Sequence, residues 1–257
     1  MAGESMESGS SSPEEATRAA VWLRRLRVLK GTPFHPQWLS DRFHALSRKA
    51  LKGKDAGWIL DVGSGDSDLS SLLGPGARII RLDYPDTNAR YQVRPDVYGD
   101  ARALPVPDSS MNKVVLLEVI EHIFEYARVI RECRRVLVPG GRLYLSVPFI
   151  YPVHDAPNDY HRFTVHGLKA ELSQAGFEIE YLNSHGNSVI VALQMMNLSL
   201  LELVARALGR QYLIGLVLAI PVYAACLVNN ILAMPFLALR FNDAAVFGHF
   251  VIARRES

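Results

Sequence analysis

Cysteine is scarce in this chain: 257 residues carry two, Cys133 and Cys226. Two thiols build no disulfide framework and offer no metal-binding spacing, so a reducing compartment is the natural setting. An excess of one charge is also missing. Lys and Arg total 28 against 26 Asp and Glu, a formal net charge of +2, which excludes a broad field for polyanions. The first residues are rich in Ser, Gly and Glu and lack the apolar core of a secretory leader. No internal repeat is visible. Most tellingly, no Asp, Glu, Lys or Arg occurs from Gln211 to Leu239.

What is present alternates. Residues 1–13 read as a disordered tail, too poor in apolar side chains to pack. Residues 14–57 read as N-terminal helices. The first runs over Glu14–Lys30, where Ala16, Ala20, Leu23, Leu26 and Leu29 share a face and arginines add positive charge. It either packs on the domain or lies on an anionic membrane. Gly31-Thr32-Pro33 ends it, and a second helix covers Trp38–Leu51. Short apolar runs then mark strands at 59–61, 79–83, 113–118, 142–147, 177–182 and 246–253. Helices are expected at 68–73, at 124–137 (stopped by Val138-Pro139-Gly140-Gly141), and from an N-cap at Thr164 to Ala175, closed by Gly176. Strands separated by helices predict a parallel α/β sheet.

The chemistry concentrates at strand ends. Ile59-Leu60-Asp61-Val62-Gly63-Ser64-Gly65 is a buried strand ending in a carboxylate and breaking into a glycine turn, where backbone can approach a ligand closely. Asp83 ends a second strand, Gly99-Asp100-Ala101 follows, and Glu118 ends a third. In this order the elements resemble a class I S-adenosylmethionine-dependent methyltransferase. Leu104-Pro105-Val106-Pro107-Asp108-Ser109-Ser110-Met111 is similar to a stretch of the type 11 branch, including its bacterial cell-envelope and lipid members. The resemblance implies a Rossmann-like seven-stranded sheet with a hydrophobic helical insertion before the last strand. The core would be 58–185 plus 244–255, and the insertion 186–243. It also implies the cofactor S-adenosylmethionine, with Gly63, Ser64 and Gly65 beside its methionine part and Asp61 near the α-ammonium. Asp83 and Tyr84 would meet the ribose, Asp100 and Ala101 the adenine, and Glu118 would line the pocket. The family's frequent third glycine is Ser67 here.

Glu118-Val119-Ile120-Glu121-His122 offers two carboxylates and an imidazole at i, i+3 and i+4, one face of a helix. Glu118, Glu121 and His122 could meet one divalent cation such as Mg, as similar segments do in ubiquinone-pathway and small-RNA methyltransferases; the plainer reading is a pocket wall. The loop 148–164, Pro-Phe-Ile-Tyr-Pro-Val-His-Asp-Ala-Pro-Asn-Asp-Tyr-His-Arg-Phe-Thr, leaves the carboxyl edge of the sheet, where ligands bind. His154 and His161 are general-base candidates, with Asp159 behind them. Against this stands a structural pairing of Asp159 with Arg162.

The apolar stretches Val189–Ala205 and 211–239 are long enough for membrane helices, although Pro221, Asn229-Asn230 and Pro235 interrupt the second. Topology objects to a single crossing, because the last strand must rejoin the sheet. A helical hairpin, a re-entrant or monotopic insertion, a hydrophobic lid, and a buried cap or dimer interface remain. The expectation is an O-methyltransferase acting on a lipid-linked, glycolipid or other apolar small molecule, cytoplasmic and on the inner face of a membrane, with no nucleic-acid partner. The alternatives are a metal-dependent RNA 2′-O-methyltransferase, disfavoured by the neutral charge, and an inactive membrane scaffold.

Overall fold

The computed structural model describes residues 26–53, 56–65, 69–85, 94–239 and 245–256. The tail at 1–13, most of the expected helix at 14–30 and Ser67 therefore lie outside the described residues. Seven strands form one sheet: β1 Ala56–Val62, β2 Gly76–Asp83, β3 Val97–Tyr98, β4 Met111–Leu117, β5 Leu137–Pro148, β6 Phe177–His185 and β7 Gly248–Arg255. Among the described residues the α-helices are α1 Trp38–Lys49, α2 Tyr126–Val136, α3 Val165–Gln174, α4 Ser188–Arg210 and α5 Tyr212–Ala233. Strand order is β3-β2-β1-β4-β5-β7-β6. The first five strands in that order pair parallel, and β7 runs antiparallel to both β5 and β6. This is the Rossmann-like α/β sheet expected of class I methyltransferases, with helices α4 and α5 inserted before its last strand.

The sheet follows from its side-chain alternation. Leu60, Val62, Val114, Leu116, Leu143 and Leu145 bury one face against α2 and α3, whose Val129, Ile130, Cys133, Leu168 and Leu172 complete a single core. Ile59, Val115, Tyr144 and Phe250 bury the other face with Leu51 and Leu69. Both faces are apolar, as parallel strands require. The Cys133 thiol is wholly buried and pushed up to about 12 by that burial, so it is packing and not chemistry.

Boundaries shift where local geometry decides. Thr164 caps α3 by accepting the Gly167 N–H at 3.1 Å. Gly176 follows that helix with φ +77. The expected helix at 68–73 is a single 3₁₀ turn, Ser70–Leu72. Of the expected N-terminal helix residues 26–30 are described, with Leu26–Leu29 a 3₁₀ turn. Strand β5 begins at Leu137 rather than at Arg142, because Leu137 already pairs with Met111 before the shift in register at Lys113.

The chain divides into two compact units, Met1–Arg42 with Val189–Leu239, and Phe43–Ser188 with Arg240–Ser257. The second holds the sheet. In the first, α4 and α5 pack against each other through Val204, Leu208, Ala219, Val222 and Cys226. A Cβ on Gly215 would stand 2.5 Å from the Leu208 backbone nitrogen, so this close approach requires glycine. Asn229 donates to Asn197 at 2.8 Å and Asn197 to Asn230 at 3.1 Å. Asn230 also donates to the Pro33 and His35 carbonyls, and Gln194 and Asn197 to that of Pro36. The asparagines that looked like interruptions are thus internal ties, and α5 runs through Pro221 unbroken.

Phe250 is wholly buried beside Tyr144 and Tyr181. Phe250→Ala should cost about 3–5 kcal/mol in urea unfolding followed by circular dichroism. A loss below about 1 kcal/mol would contradict the close packing of this face.

Candidate active site

The carboxyl ends of β1 and β2 meet at a loop that only glycine allows. Gly63 has φ +71 and Gly65 φ +50. A Cβ at Gly63 would lie 2.5 Å from the Val119 side chain. Both Gly63 and Ser64 donate backbone N–H bonds to the Leu82 carbonyl, at 2.9 and 3.3 Å. Asp83 closes the turn: one carboxylate oxygen accepts the Gly65 N–H at 2.7 Å, the other the Tyr84 N–H at 2.8 Å. Each oxygen keeps a further lone pair, so the clamp leaves Asp83 able to accept hydroxyl donors.

Asp61, at the end of β1, is 4% exposed and its Oδ2 has no hydrogen-bond partner among the described residues. Burial pushes its carboxyl up to about 7, with Asp83 adding to the effect and Arg48 opposing it. A buried carboxylate with an unpartnered oxygen costs free energy that a cation beside it would return. An α-ammonium group fits that need, and the side-chain-free backbone at Gly63 and Gly65 fits a ligand lying close. Asp100 differs from expectation in its partner: Arg102 binds both its oxygens at 2.7–3.0 Å and holds its carboxyl below the usual range. Ala101 is buried beside it and Tyr84 is half exposed.

Glu118 takes φ +55, which turns it toward the sheet, where its Oε1 accepts the Ser146 hydroxyl at 2.7 Å. It does not join Glu121 and His122. Residues Ile120–His122 form a 3₁₀ turn rather than a longer helix, and the group brought together is Glu121, His122 and His154, with ligand atoms within 4.8 Å of one another. Glu121 is fully buried, and neither carboxylate oxygen has a hydrogen-bond partner among the described residues. Its burial first, then Glu118, hold its carboxyl well above the ordinary range, with Arg162 opposing. His122 Nδ1 lies 2.7 Å from the Asn158 carbonyl and so carries the proton, leaving Nε2 with its lone pair 3.6 Å from Glu121 Oε1. An orphaned carboxylate beside an imidazole lone pair is a donor set that fits a divalent cation.

The loop after β5 is pinned over this group, since Tyr160 and His161 donate backbone N–H bonds to the Glu121 carbonyl. His154 donates its backbone N–H to Asp159 Oδ2 at 2.8 Å, and its Nδ1 stands 3.3 Å from the same oxygen. The Asp159 carboxylate is gripped by Arg162 and held far below the usual carboxylate range by it. Asp159 is therefore an orienting group and a poor proton acceptor. His161 Nε2 bonds the Phe124 carbonyl at 3.1 Å, with its ring packed on Tyr126 and Phe163. It stands apart from the other two histidines, whose rings meet edge to face at 4.8 Å.

One group went unread in the sequence. Ser184 Oγ lies 2.9 Å from His249 Nδ1, and neighbouring His185, 6% exposed, is pushed down to about 4 by its burial and by His249 and His44. Both lie at the carboxyl end of β6, where isolated histidines in an apolar pattern gave no signal. The 104–111 segment proves structural. Arg135 binds the carbonyls of Leu104 and Val106 and the carboxylate of Asp108.

Comparison with known proteins gives the family and the fold. The model of a family described as a methyltransferase domain matches residues 60–145. Over 182 residues the chain is 34% identical to a probable S-adenosylmethionine-dependent methyltransferase of Mycolicibacterium smegmatis, covering 65% of this chain and 70% of that protein. A protein of the same description from Mycobacterium tuberculosis is 34% identical over 178 residues, 65% of each chain. The crystal structure of the [4+2]-cyclase SpnF superposes with a TM-score of 0.50 at 20% identity, covering 84% of this chain and 80% of that one; this likeness is one of fold. Fold and cradle together define a class I methyltransferase. The chain belongs to the S-adenosylmethionine-dependent methyltransferases of the type 11 family, and it is an enzyme using S-adenosylmethionine.

If Asp61 faces the α-ammonium, its raised carboxyl makes cofactor binding pH-dependent. Its folded pKa of about 7 lies above the ordinary 3.8. Below about pH 7 the folded protein therefore holds the proton, which an incoming cation must displace. Its cost to folding is absent below the unfolded pKa and grows until pH passes the folded one. Equilibrium dialysis should find S-adenosylmethionine bound about twentyfold more weakly at about pH 5.5 than at about pH 7.5. Asp61→Asn should flatten that dependence. An unchanged slope in the variant would remove Asp61 from the ammonium site.

Proposed function

We propose that this methyltransferase methylates a hydroxyl oxygen of a lipid-linked, glycolipid or otherwise apolar small molecule, at the cytoplasmic face of a membrane. The observation that carries the reading is the insertion. Helices α4 and α5 are long and apolar enough to cross a membrane, and α5 exposes Leu213, Val217, Ile220, Val228, Ile231 and Leu232. A face of this kind marks a contact with a membrane or with another protein, and the membrane reading places the enzyme where apolar acceptors are found.

When bound, S-adenosylmethionine supplies a methyl group on a sulfonium, an electrophile that needs alignment more than activation. In this proposal Asp61 faces the α-ammonium, the Gly63–Gly65 backbone lies along the methionine part, and Ser64 packs behind it. Asp83 and Tyr84 meet the ribose, Asp100 and Ala101 the adenine, and Glu118 supports the pocket from the end of β4. His154 is the base. With Nδ1 held toward Asp159, its Nε2 is free to accept the acceptor's hydroxyl proton as the oxygen bonds to carbon. The resulting imidazolium is stabilised by Asp159, which stays ionised beside Arg162.

The contact between Glu121, His122 and His154 favours a second reading. There these three side chains hold a divalent cation such as Mg, which would lower the acceptor hydroxyl's pKa, and His154 is a ligand and not a base.

The test is transfer of labelled methyl from S-adenosylmethionine into membrane lipid extract. Label should enter organic-soluble material, and His154→Gln should lower kcat about 10²–10⁴-fold with cofactor binding unchanged. Label confined to water-soluble acceptors would overturn the apolar acceptor, and turnover within about threefold of wild type would remove His154 as base. The metal reading forecasts instead that chelation abolishes turnover and that Glu121→Gln loses bound metal by elemental analysis.

A further inference from the structure

We infer that the α4–α5 hairpin docks in the plane of a lipid bilayer, with α5 sunk among the acyl chains and α4 above it, and does not span the membrane. The inference rests on the membrane association proposed above and fixes its geometry.

Three observations carry it. First, α5 is inverted relative to a helix of a soluble domain. Its polar side chains are spent inward: Asn229 and Asn230 are buried in the asparagine network, and the Tyr223 hydroxyl donates to the Phe34 carbonyl. Its outward face is aliphatic, with Leu213 75%, Val217 70% and Ile220 73% exposed. The segment 211–239 holds no charged residue. A protein partner would meet a polar rim and about one hydrogen bond per 100–200 Å². Between Leu213 and Leu232 this face offers no side-chain donor or acceptor of its own, which suits hydrocarbon. Tyr212 stands at the end of the face, where a ring with one wet end belongs at a headgroup boundary.

Second, α4 carries the opposite character. Asn197, Val204 and Leu208 meet α5, and at about 100° per residue the far side of the helix presents Ser199, Arg206 and Arg210. All three are exposed, and Arg206 pairs with an exposed Glu202 at 2.7 Å. The α4 side is mixed, since Met196 and Leu203 are also about half exposed there, but Glu202, Arg206 and Arg210 stand on it while the α5 side carries no charge, a distribution that suits a helix pair lying in an interface. A spanning hairpin would instead surround α4 with hydrocarbon and carry this ion pair and Arg210 into or across it.

Third, topology removes the single pass. Strands β6 and β7, which flank the insertion in sequence, pair along their length, so the chain returns to the side from which it left.

Single cysteines test this in the full chain, with Cys133 and Cys226 replaced by alanine. The preparation is sealed membrane vesicles whose cytoplasmic face is outward. A membrane-impermeant maleimide should modify Arg210→Cys, at the turn, and Ser199→Cys, on the polar side, as fast as after detergent solubilisation. Val217→Cys and Ile220→Cys should react about tenfold more slowly until detergent is added. Protection of Arg210→Cys and Ser199→Cys as well would overturn the in-plane geometry in favour of a spanning hairpin while leaving membrane association standing. Protein absent from the floated vesicles would overturn association itself. Protection of Val217→Cys that persists without vesicles or detergent would assign the face to a second copy of the chain and overturn the lipid assignment.

Discussion

The Asp83 carboxylate is the constraint on which the site depends. Two backbone N–H groups, of Gly65 and Tyr84, lie on its two oxygens at 2.7 and 2.8 Å. Each comes from a loop leaving a different strand end, so one side chain locks the β1 turn to the β2 turn. Gly63 and Gly65 stand in left-handed conformations beside that lock; Val119 fills the place of a Cβ at Gly63, while nothing lies within 4 Å of one at Gly65. Behind them Asp61 is buried without a partner for Oδ2. A buried carboxyl with an unpartnered oxygen is costly by itself, and the proposal that an α-ammonium lies beside it accounts for that cost.

The loop on the proposed acceptor side is held by a different device. The loop after β5 folds back over the 3₁₀ turn after β4, fastened by the Glu121 carbonyl and by the Asp159–Arg162 pair. Arg162 holds Asp159, Asp159 orients His154, and His154 stands against His122 and Glu121. Orientation is thus passed along side chains that have few alternative positions, which is what a methyl transfer governed by alignment asks of its scaffold. In the other unit the polarity is reversed: asparagines inside, aliphatic side chains outside.

Much of this was legible in the sequence because strands ending in acids and breaking into glycine have few structural meanings. Six of the strands, the Gly63–Gly65 turn and the Thr164 cap follow from local patterns; the two-residue β3, Val97–Tyr98, is too short to leave one, and the count of seven came only from the family resemblance. What was not legible depends on contacts between distant segments. Glu118 was grouped with Glu121 and His122 by helical spacing, but a left-handed φ turns it to Ser146. His154 reaches Glu121 and His122 only because the loop crosses back over them. Arg102 takes Asp100 two residues away, a pairing that spacing alone does not separate from a free carboxylate. Asn229 and Asn230 read as breaks in an apolar run, whereas tertiary packing makes them the interior of a hairpin.

The most direct measurement is calorimetric binding of S-adenosylmethionine to the detergent-purified full chain, beside Asp83→Ala. The account predicts saturable binding by the wild-type protein and its loss in the variant, with the far-ultraviolet circular dichroism of the sheet retained. Equal binding by the two proteins would contradict it, because the loop Asp83 closes would then not be where the cofactor is held.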